Sequence, residues 1–169
     1  MQCPCGSNKS FKQCCFLIIN EEIKAESPEQ LMRSRYSAYA TKSADYIYQT
    51  YAESSKVQQS IDDISEWAQE TKWLKLTIHS ASEYNIGMEN NAINATNEEQ
   101  AFPTVIFSAY YKHQGKYCLM KETSRFIMED SQWRYLDGAV SNNGELVAPK
   151  RNELCFCQSQ RKFKQCCGS

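Results

Sequence analysis

Cysteine is the residue type in this sequence with the clearest capacity for chemistry, and its positions matter more than its number. Eight of the nine cysteines lie in the first 15 and last 15 residues of the 169-residue chain. The two ends read CPCGSNKSFKQCC and CFCQSQRKFKQCC, which are identical at eight of thirteen positions without a gap. The chain therefore repeats a small unit, C-x-C-x8-C-C, at both ends.

Four cysteines in so short a segment predict a metal site. A segment of about 15 residues cannot bury enough apolar surface to offset its conformational entropy. A structural Zn²⁺ held by four thiolates contributes about 10–16 kcal/mol of apparent binding free energy. We expect two zinc ions per chain from the affinity order, although iron also accepts four thiolates. The predicted ligands are Cys3, Cys5, Cys14 and Cys15 in the first unit, and Cys155, Cys157, Cys166 and Cys167 in the second.

The residues between these cysteines predict how each unit positions its thiols. Gly6 relaxes the backbone after the C-x-C pair. Ser7 is expected to cap a short helix that begins at Asn8. On that helix Phe11 would share one face with the last two cysteines and shield the metal. The second unit repeats the serine and the phenylalanine at the same spacing.

Two other uses of the cysteines remain open at this stage. Disulfides belong to oxidising compartments, but the chain opens with neither the basic nor the apolar region of a secretory signal, and a bridge between adjacent cysteines is strained. Thiol redox catalysis would favour C-x-x-C spacing in a βαβ context. We therefore expect metal binding, and a cytoplasmic location.

The two ends of the chain are basic, whereas its centre is acidic. The formal net charge is −1, whereas residues 1–15 carry +2, residues 150–169 carry +4 and residues 16–149 carry −7. Without a global positive excess we expect no sequence-specific nucleic-acid binding, and no apolar run is long enough to span a membrane. The basic residues expected to face an acidic partner are Lys9, Lys12, Arg161, Lys162 and Lys164.

Between the two ends, a helical period of apolar residues gives way to a period of two. Ser27 followed by Pro28 predicts a helix start, and further helices are expected over 44–51 and from Ser60. Segments rich in β-branched and aromatic residues predict four strands, at 73–79, 104–113, 116–128 and 132–140. Residues 85–100 are expected to form a long loop. Helices followed by a meander of antiparallel strands indicate an α+β fold.

These features resemble a known family. C-x-C-G-S-x-K-x-F-K-x-C-C resembles the SEC-C motif, a small zinc-binding module at the carboxyl end of the SecA translocation ATPase. Two copies around a central domain resemble the YchJ family of small bacterial proteins. With 124–126 and 133–138 on its last strands, that domain resembles the cone fold of the nuclear-transport-factor-two superfamily (NTF2-like). The resemblance covers essentially the whole chain and implies three parts: a SEC-C-like module at 1–19, an NTF2-like domain at 20–149 and a second module at 150–169.

The resemblance also implies a function. In SecA the module docks the secretion chaperone SecB and the ribosome, so we expect a metal-binding docking protein, not an enzyme, with a partner of that kind. Four thiolates leave no open position for a substrate water, which is typical of a structural ion. NTF2-like domains often dimerise, so a homodimer is a further expectation by analogy.

A cone can also enclose a ligand, and the second hypothesis is therefore a small-ligand-binding protein or an enzyme. Glu122 lies mid-strand on an otherwise apolar face, where a carboxylate can serve as a general acid or base. Arg35, Tyr39 and Asp137 are the other pocket candidates. The simpler interpretation is that Glu122 pairs with an arginine such as Arg35. Cys118, on the same strand, is expected to be a buried, inert thiol.

Overall fold

The computed structural model describes residues 1–83, 102–157 and 159–169, so the loop expected over 85–100 lies outside the described residues. Helices precede strands along the chain, as predicted. The helices are α1 (Cys15–Ile19), α2 (Pro28–Thr41), α3 (Ala44–Gln49), α4 (Glu53–Lys56) and α5 (Ile61–Glu70). The strands are β1 (Thr71–Ala81), β2 (Thr104–His113), β3 (Lys116–Glu129) and β4 (Gln132–Leu146). No helix among these described residues is long and apolar enough to cross a membrane.

The longest helix, α2, begins at the predicted residue for a local reason. The Ser27 side chain accepts a hydrogen bond from the Gln30 amide at 3.2 Å. Pro28 occupies the first turn, where its missing N–H has no helical acceptor. The helix ends at Thr41, and the next residue, Lys42, caps it with a φ of 62° in the left-handed region. One face of α2 packs on the sheet. The larger buried residues of the helix are Leu31, Met32, Arg35 and Tyr36.

The four strands form one antiparallel sheet in the order β1-β2-β3-β4. Two-residue turns join the last three strands, at Gln114 and Gly115 and at Asp130 and Ser131, all with positive φ. Two positive φ values match the twist of the flanking strands in a hairpin. The β3–β4 register shifts between Lys121/Glu122 and between Arg125/Phe126. These irregularities frame the segment that carries Glu122.

Helices α2, α3 and α5 and the sheet enclose the main core, in which residues such as Leu31, Ile47, Val105 and Phe126 are fully or almost fully buried. The predicted α+β fold class is confirmed. Strand β4 extends six residues beyond its predicted end, because its exposed polar stretch still pairs with β3 up to Leu146. A solvent-facing stretch has no apolar alternation, so the sequence pattern stopped too early.

The predicted helix from Asn8 is wrong. Asn8 has a φ of 61°, and the first helical turn is the 3₁₀ segment Phe11–Gln13, preceded by Ser10 in an extended conformation. The Cys3 amide donates to the Lys9 carbonyl at 2.9 Å, and the Phe11 amide donates to the Met1 carbonyl at 3.1 Å. Residues 1–11 therefore form a small hairpin loop, which brings the C-x-C pair against the last two cysteines.

Candidate metal centres and a charged cavity

The four cysteines of the first unit converge on one point. Their Sγ atoms all lie within 4.8 Å of one another, with 3.7 Å between Cys5 and Cys14 and 3.9 Å between Cys14 and Cys15. Gly6 makes the turn after Cys5 with a φ of 77°. Ser7 does not cap a helix; its Oγ lies 3.2 Å from the Cys14 Sγ.

The second quartet repeats this geometry. Its Sγ atoms also lie within 4.8 Å of one another, with 3.5 Å between Cys157 and Cys166 and 4.0 Å between Cys166 and Cys167. The Ser159 Oγ lies 3.2 Å from the Cys166 Sγ. In the part of the chain that the structure describes, these two quartets are the groups of cysteine, histidine and acidic side chains that could hold a metal ion.

The donor set fits a tetrahedral metal ion. Four sulfurs at the usual Zn–S distance of about 2.3 Å lie about 3.8 Å apart, and the quoted separations bracket that value. A disulfide would need about 2.05 Å, and every cysteine of the chain lies among the described residues as a free thiol. Four protein ligands complete the coordination shell, so an ion held here would be structural.

The pKa shifts of the thiols in each quartet favour binding of a cation. Burial raises the pKa of Cys14 and of Cys167. A hydrogen bond from Cys15 lowers the pKa of Cys5 and correspondingly raises that of Cys15. Thiols packed this closely share protons rather than all ionising. A bound dication would take the place of those protons and let all four become thiolates.

The two units attach to different parts of the central domain. The first lies on α2, where Arg33 donates from Nη1 to the Cys5 carbonyl at 2.8 Å and the Ser37 Oγ lies 3.6 Å from the Cys3 Sγ. The second lies on the sheet, where its cysteines form an apolar cluster with Tyr110. Phe156, which stands where the first unit has Pro4, stacks on Tyr110 at 5.8 Å between ring centroids. Gln158, which stands where the first unit has Gly6, lies outside the described residues.

The basic side chains of both units project into solvent. All five that the sequence singled out are exposed, and the ion pairs within the described residues include none of them. They are Lys9, Lys12, Arg161, Lys162 and Lys164. None of the five is neutralised by an ion pair with an acidic side chain in the described residues, and a dication held by four thiolates would add a formal charge of −2 to each unit.

A cavity of about 240 Å³ lies between α2 and the sheet, and it brings together three of the four predicted pocket residues. Glu122, Arg35 and Tyr39 all line it. Asp137 does not; it forms a surface ion pair with Arg125 at 2.6 Å. Arg125 lowers the pKa of this carboxyl. Cys118 is half-buried, so the expectation of a buried thiol is wrong.

Glu122 does not pair with Arg35. Both hydrogen bonds that Glu122 accepts within the described chain go to Oε1, from the Ser124 Oγ at 2.6 Å and the Tyr135 hydroxyl at 2.8 Å. Arg35 donates instead to the Ile47 carbonyl, and its guanidinium lies over aromatic rings. The simple ion-pair interpretation is therefore wrong for these residues.

Sequence reasoning missed several residues of this cavity. Tyr51, Trp67 and Trp73 line it, and Gly138 backs onto it because a Cβ built there would lie 2.1 Å from the Glu122 Oε1. These residues come from the segment after α3 and from α5, β1 and β4, which are distant in sequence. A glycine directly opposite Ser124 in the sheet register is the one local signal that could have pointed to a close approach.

Comparison with known proteins agrees with the architecture. The family model described as YchJ, middle NTF2-like domain, matches residues 27–138. The SEC-C motif matches residues 2–17 and 151–169. UPF0225 proteins of Vibrio vulnificus (strain CMCP6) and Vibrio parahaemolyticus are 36% identical over 177 residues and 34% identical over 178 residues, with 98% of each chain covered in both cases. The chain belongs to the YchJ family.

Two solved structures share the fold. The solution structure of a SEC-C motif containing protein from Rhodopseudomonas palustris has a TM-score of 0.69 and 30% identity, and covers 84% of this chain and 100% of its own. The crystal structure of a SEC-C motif containing protein from Psychrobacter arcticus has a TM-score of 0.61 and 25% identity, and covers 98% of this chain and 94% of its own. The family and its SEC-C motifs fit the two four-thiol groups, which suggest metal binding.

Proposed function

We propose that this protein is a cytoplasmic docking protein in which two zinc ions, one per SEC-C module, hold two basic surfaces in shape. The observation that carries the proposal is the convergence of each cysteine quartet, in which the closer Sγ pairs lie 3.5–4.0 Å apart, near the about 3.8 Å of a tetrahedral zinc site. The residue ranges expected for the three parts, 1–19, 20–149 and 150–169, follow from the same assignment. The docking role does not require enzymatic activity.

An acidic partner suits these surfaces. Five exposed basic side chains lie around the two thiol sites without an acidic side chain within ion-pair distance in the described part of the chain. With a zinc–tetrathiolate centre of −2 in each module, residues 150–169 keep a formal charge of +2 and residues 1–15 are neutral. Exposed basic side chains that have no ion-pair partner steer association with a negative surface. The resemblance to SecA implies a secretion chaperone or the ribosome as the partner, and ribosomal RNA offers a negative surface through its phosphates. A homodimer would display four modules.

Charge reversal tests the docking role without disturbing the cysteines. Lys9→Glu with Lys12→Glu, and Arg161→Glu with Lys162→Glu and Lys164→Glu, should each weaken binding to purified ribosomes or to purified SecB. The control, Lys24→Glu with Lys121→Glu, reverses two exposed lysines outside the modules. Metal content and melting temperature should stay unchanged in all three variants. Unaltered binding by both module variants, or an equal loss in the control, would contradict the proposal.

A second candidate function is a small-molecule site in the NTF2-like cavity, in which Glu122 could also act as an acid or base. The observation that favours it is the burial of two ionisable side chains in the wall of one cavity. Buried charge is costly unless it is compensated. An occupant would change the fluorescence of Trp67 and Trp73, which line the cavity, and any turnover should be lost in Glu122→Gln.

A further inference from the structure

Opposite charges lie in the same cavity without contacting each other. Arg35 is 4% exposed and Glu122 is 8% exposed, and both line the space of about 240 Å³. The ion pairs found among the described residues do not join them. Taking two ions out of water without pairing them costs stability, so their separation calls for an explanation.

Arg35 is held in place by contacts that use only some of the hydrogen-bond donors of its guanidinium. Its Nη1 donates to the Ile47 carbonyl at 2.8 Å and to the Thr50 Oγ1 at 2.7 Å. The guanidinium carbon lies 4.3 Å from the ring centroid of Tyr51 and 4.5 Å from that of Tyr135. Stacking between two rings stabilises the cation and fixes its plane. Its Nε and Nη2 make none of the hydrogen bonds within the described chain.

Glu122 is held equally firmly, through one of its two oxygens. The Ser124 and Tyr135 hydroxyls both donate to Oε1, and Oε2 accepts none of the hydrogen bonds among the described residues. Burial raises the pKa of Tyr135, which keeps this hydroxyl a proton donor at neutral pH. Gly138 leaves room for the carboxylate, since any Cβ there would collide with Oε1 at 2.1 Å. Ser124, Tyr135 and Gly138 therefore fix the position of the Glu122 carboxylate.

Tyr135 keeps the two charges apart. Its ring lies beneath Arg35 while its hydroxyl holds Glu122, so the spare donors of one charge and the spare acceptor of the other remain available to a third group. The rest of the wall is aromatic or apolar, with Tyr36, Trp67, Trp73 and Phe107. The indole N–H of Trp73 is a buried donor with no hydrogen-bond partner among the described residues.

We propose that this cavity binds a small dipolar molecule of zero net charge. An anionic or acceptor group would contact Arg35, a protonated amine or other donor would contact Glu122, and an apolar body would lie against the aromatic wall. A space of 240 Å³ suits about a dozen non-hydrogen atoms, below the range of drug-sized pockets. The inference rests on the second candidate function and is independent of the docking role.

Matched probes separate the contribution of each charge. L-phenylalanine carries both groups, 3-phenylpropionate carries only the anion and 2-phenylethylamine only the cation; L-leucine, 4-methylpentanoate and 3-methylbutylamine form an aliphatic series. Tryptophan fluorescence and calorimetry should show at least one zwitterion binding about tenfold more tightly than both of its singly charged partners. Equal or tighter binding by the singly charged probes would overturn the proposed chemistry. Absence of saturable binding by all six would also overturn the second candidate function.

Variants of the carboxylate provide the matched controls. Glu122→Gln keeps the shape of the side chain and should reduce the zwitterion affinity about tenfold while leaving that of the anion unchanged. Gly138→Ala should also weaken zwitterion binding, because a Cβ there would displace both the Glu122 carboxylate and the Tyr135 hydroxyl, 2.5 Å away. Glu145→Gln makes the same chemical change at a surface glutamate paired with Lys116 and should have no effect. Circular dichroism and melting temperature verify folding. Equal zwitterion affinity in Glu122→Gln and Glu145→Gln would refute the proposal.

Discussion

The two SEC-C modules have the same internal structure although they lie at opposite ends of the chain. The Cys155 amide donates to the Arg161 carbonyl at 2.8 Å, which repeats the Cys3–Lys9 bond of the first module. Cys14 and Cys166 have nearly identical backbone angles, with φ of −139° and −140° and ψ of −117° and −115°. A fold of about 15 residues that is reproduced in two settings is specified by its own sequence, and by the metal that its cysteines can hold.

The surroundings of the modules differ as much as their interiors agree. In the first module the chain continues from Cys15 into α1, whose Ile18 and Ile19 pack against the main core. The second module lies on the sheet and covers apolar side chains there, including Leu74 and Leu119. The comparison shows that the thiol site and its attachment to the body are separable properties of the sequence.

Loss of one ligand should have the largest effect, and it should affect the two ends differently. Under the proposed function, in which each module holds one zinc ion, Cys5→Ser and Cys157→Ser should each halve the metal content, with a local loss of up to about 10–16 kcal/mol, the scale of a structural zinc site. Cys5→Ser should also lower the melting temperature, because α1 connects that module to the core. Cys157→Ser should mainly expose the apolar sheet surface and increase binding of a hydrophobic dye.

Elemental analysis, thermal melting and dye fluorescence measure these outcomes. Cys118→Ser is the matched control, since it makes the same substitution at a half-buried cysteine outside both quartets. It should retain two ions. Identical melting temperatures and dye signals for the two module variants would mean that attachment to the body has no consequence.

Acidification should weaken metal binding at both ends in parallel. Burial raises the pKa of Cys14 and of Cys167, so these thiols hold protons at neutral pH when no metal is bound. The metal must displace those protons, and its affinity therefore falls as pH falls, by about tenfold per pH unit for each proton displaced. Competition with a chromophoric zinc chelator across the pH range measures this slope. An affinity that does not change with pH would show that the thiols are not the ligands.

Removing the aromatic side chain that distinguishes the second module should detach it from the sheet. Phe156→Ala loses the ring contacts with Tyr110, Tyr117 and Phe163, at a cost of about 2 kcal/mol for a half-buried ring. Pro4→Ala at the equivalent position should change stability by less than about 0.5 kcal/mol. Hydrogen exchange of residues 151–169 measures the effect, and zinc content should be retained. Equal exchange in both variants would count against the packing role.

The smallest effects on stability are expected from the polar side chains of the central domain that contact the two modules. Arg33→Gln removes the hydrogen bond to the Cys5 carbonyl and should cost about 1 kcal/mol, seen as faster exchange in the first module. Lys72→Gln removes an exposed contact, 3.3 Å from Nζ to the Ser169 carbonyl, and should have no measurable effect on the second. A larger effect from Lys72 than from Arg33 would reverse the order that burial predicts.

Local sequence signals predicted the elements well where the cause of the structure is local. The capped start of α2 and the bounds of β2 follow from Ser27 and from the β-rich run Thr104–His113. The same reasoning failed at Asn8, because a loop closed by backbone hydrogen bonds to Met1 and Lys9 overrides helical spacing. Cap and periodicity rules do not include such pairings.

The metal ligands and the cavity differ in how much the sequence could reveal. The cysteine spacing named both quartets, since all four members lie within 15 residues. The cavity was predicted only in part, because it depends on where α2 meets the sheet. Arg35 and Glu122 were candidates, but their separation follows from Tyr135, which contacts both. No sequence pattern indicates that a third side chain will hold two charges apart.

Gly138 constrains how this family can diverge. Because even a methyl group at that position would occupy the space of the Glu122 carboxylate, the two positions should change together among relatives. A homologue that replaces the glycine with any larger residue should also have given up the acid. Conversely, a homologue that keeps the acid but has a bulkier residue at the glycine position should pair its last two strands in a different register, which would leave space for both side chains.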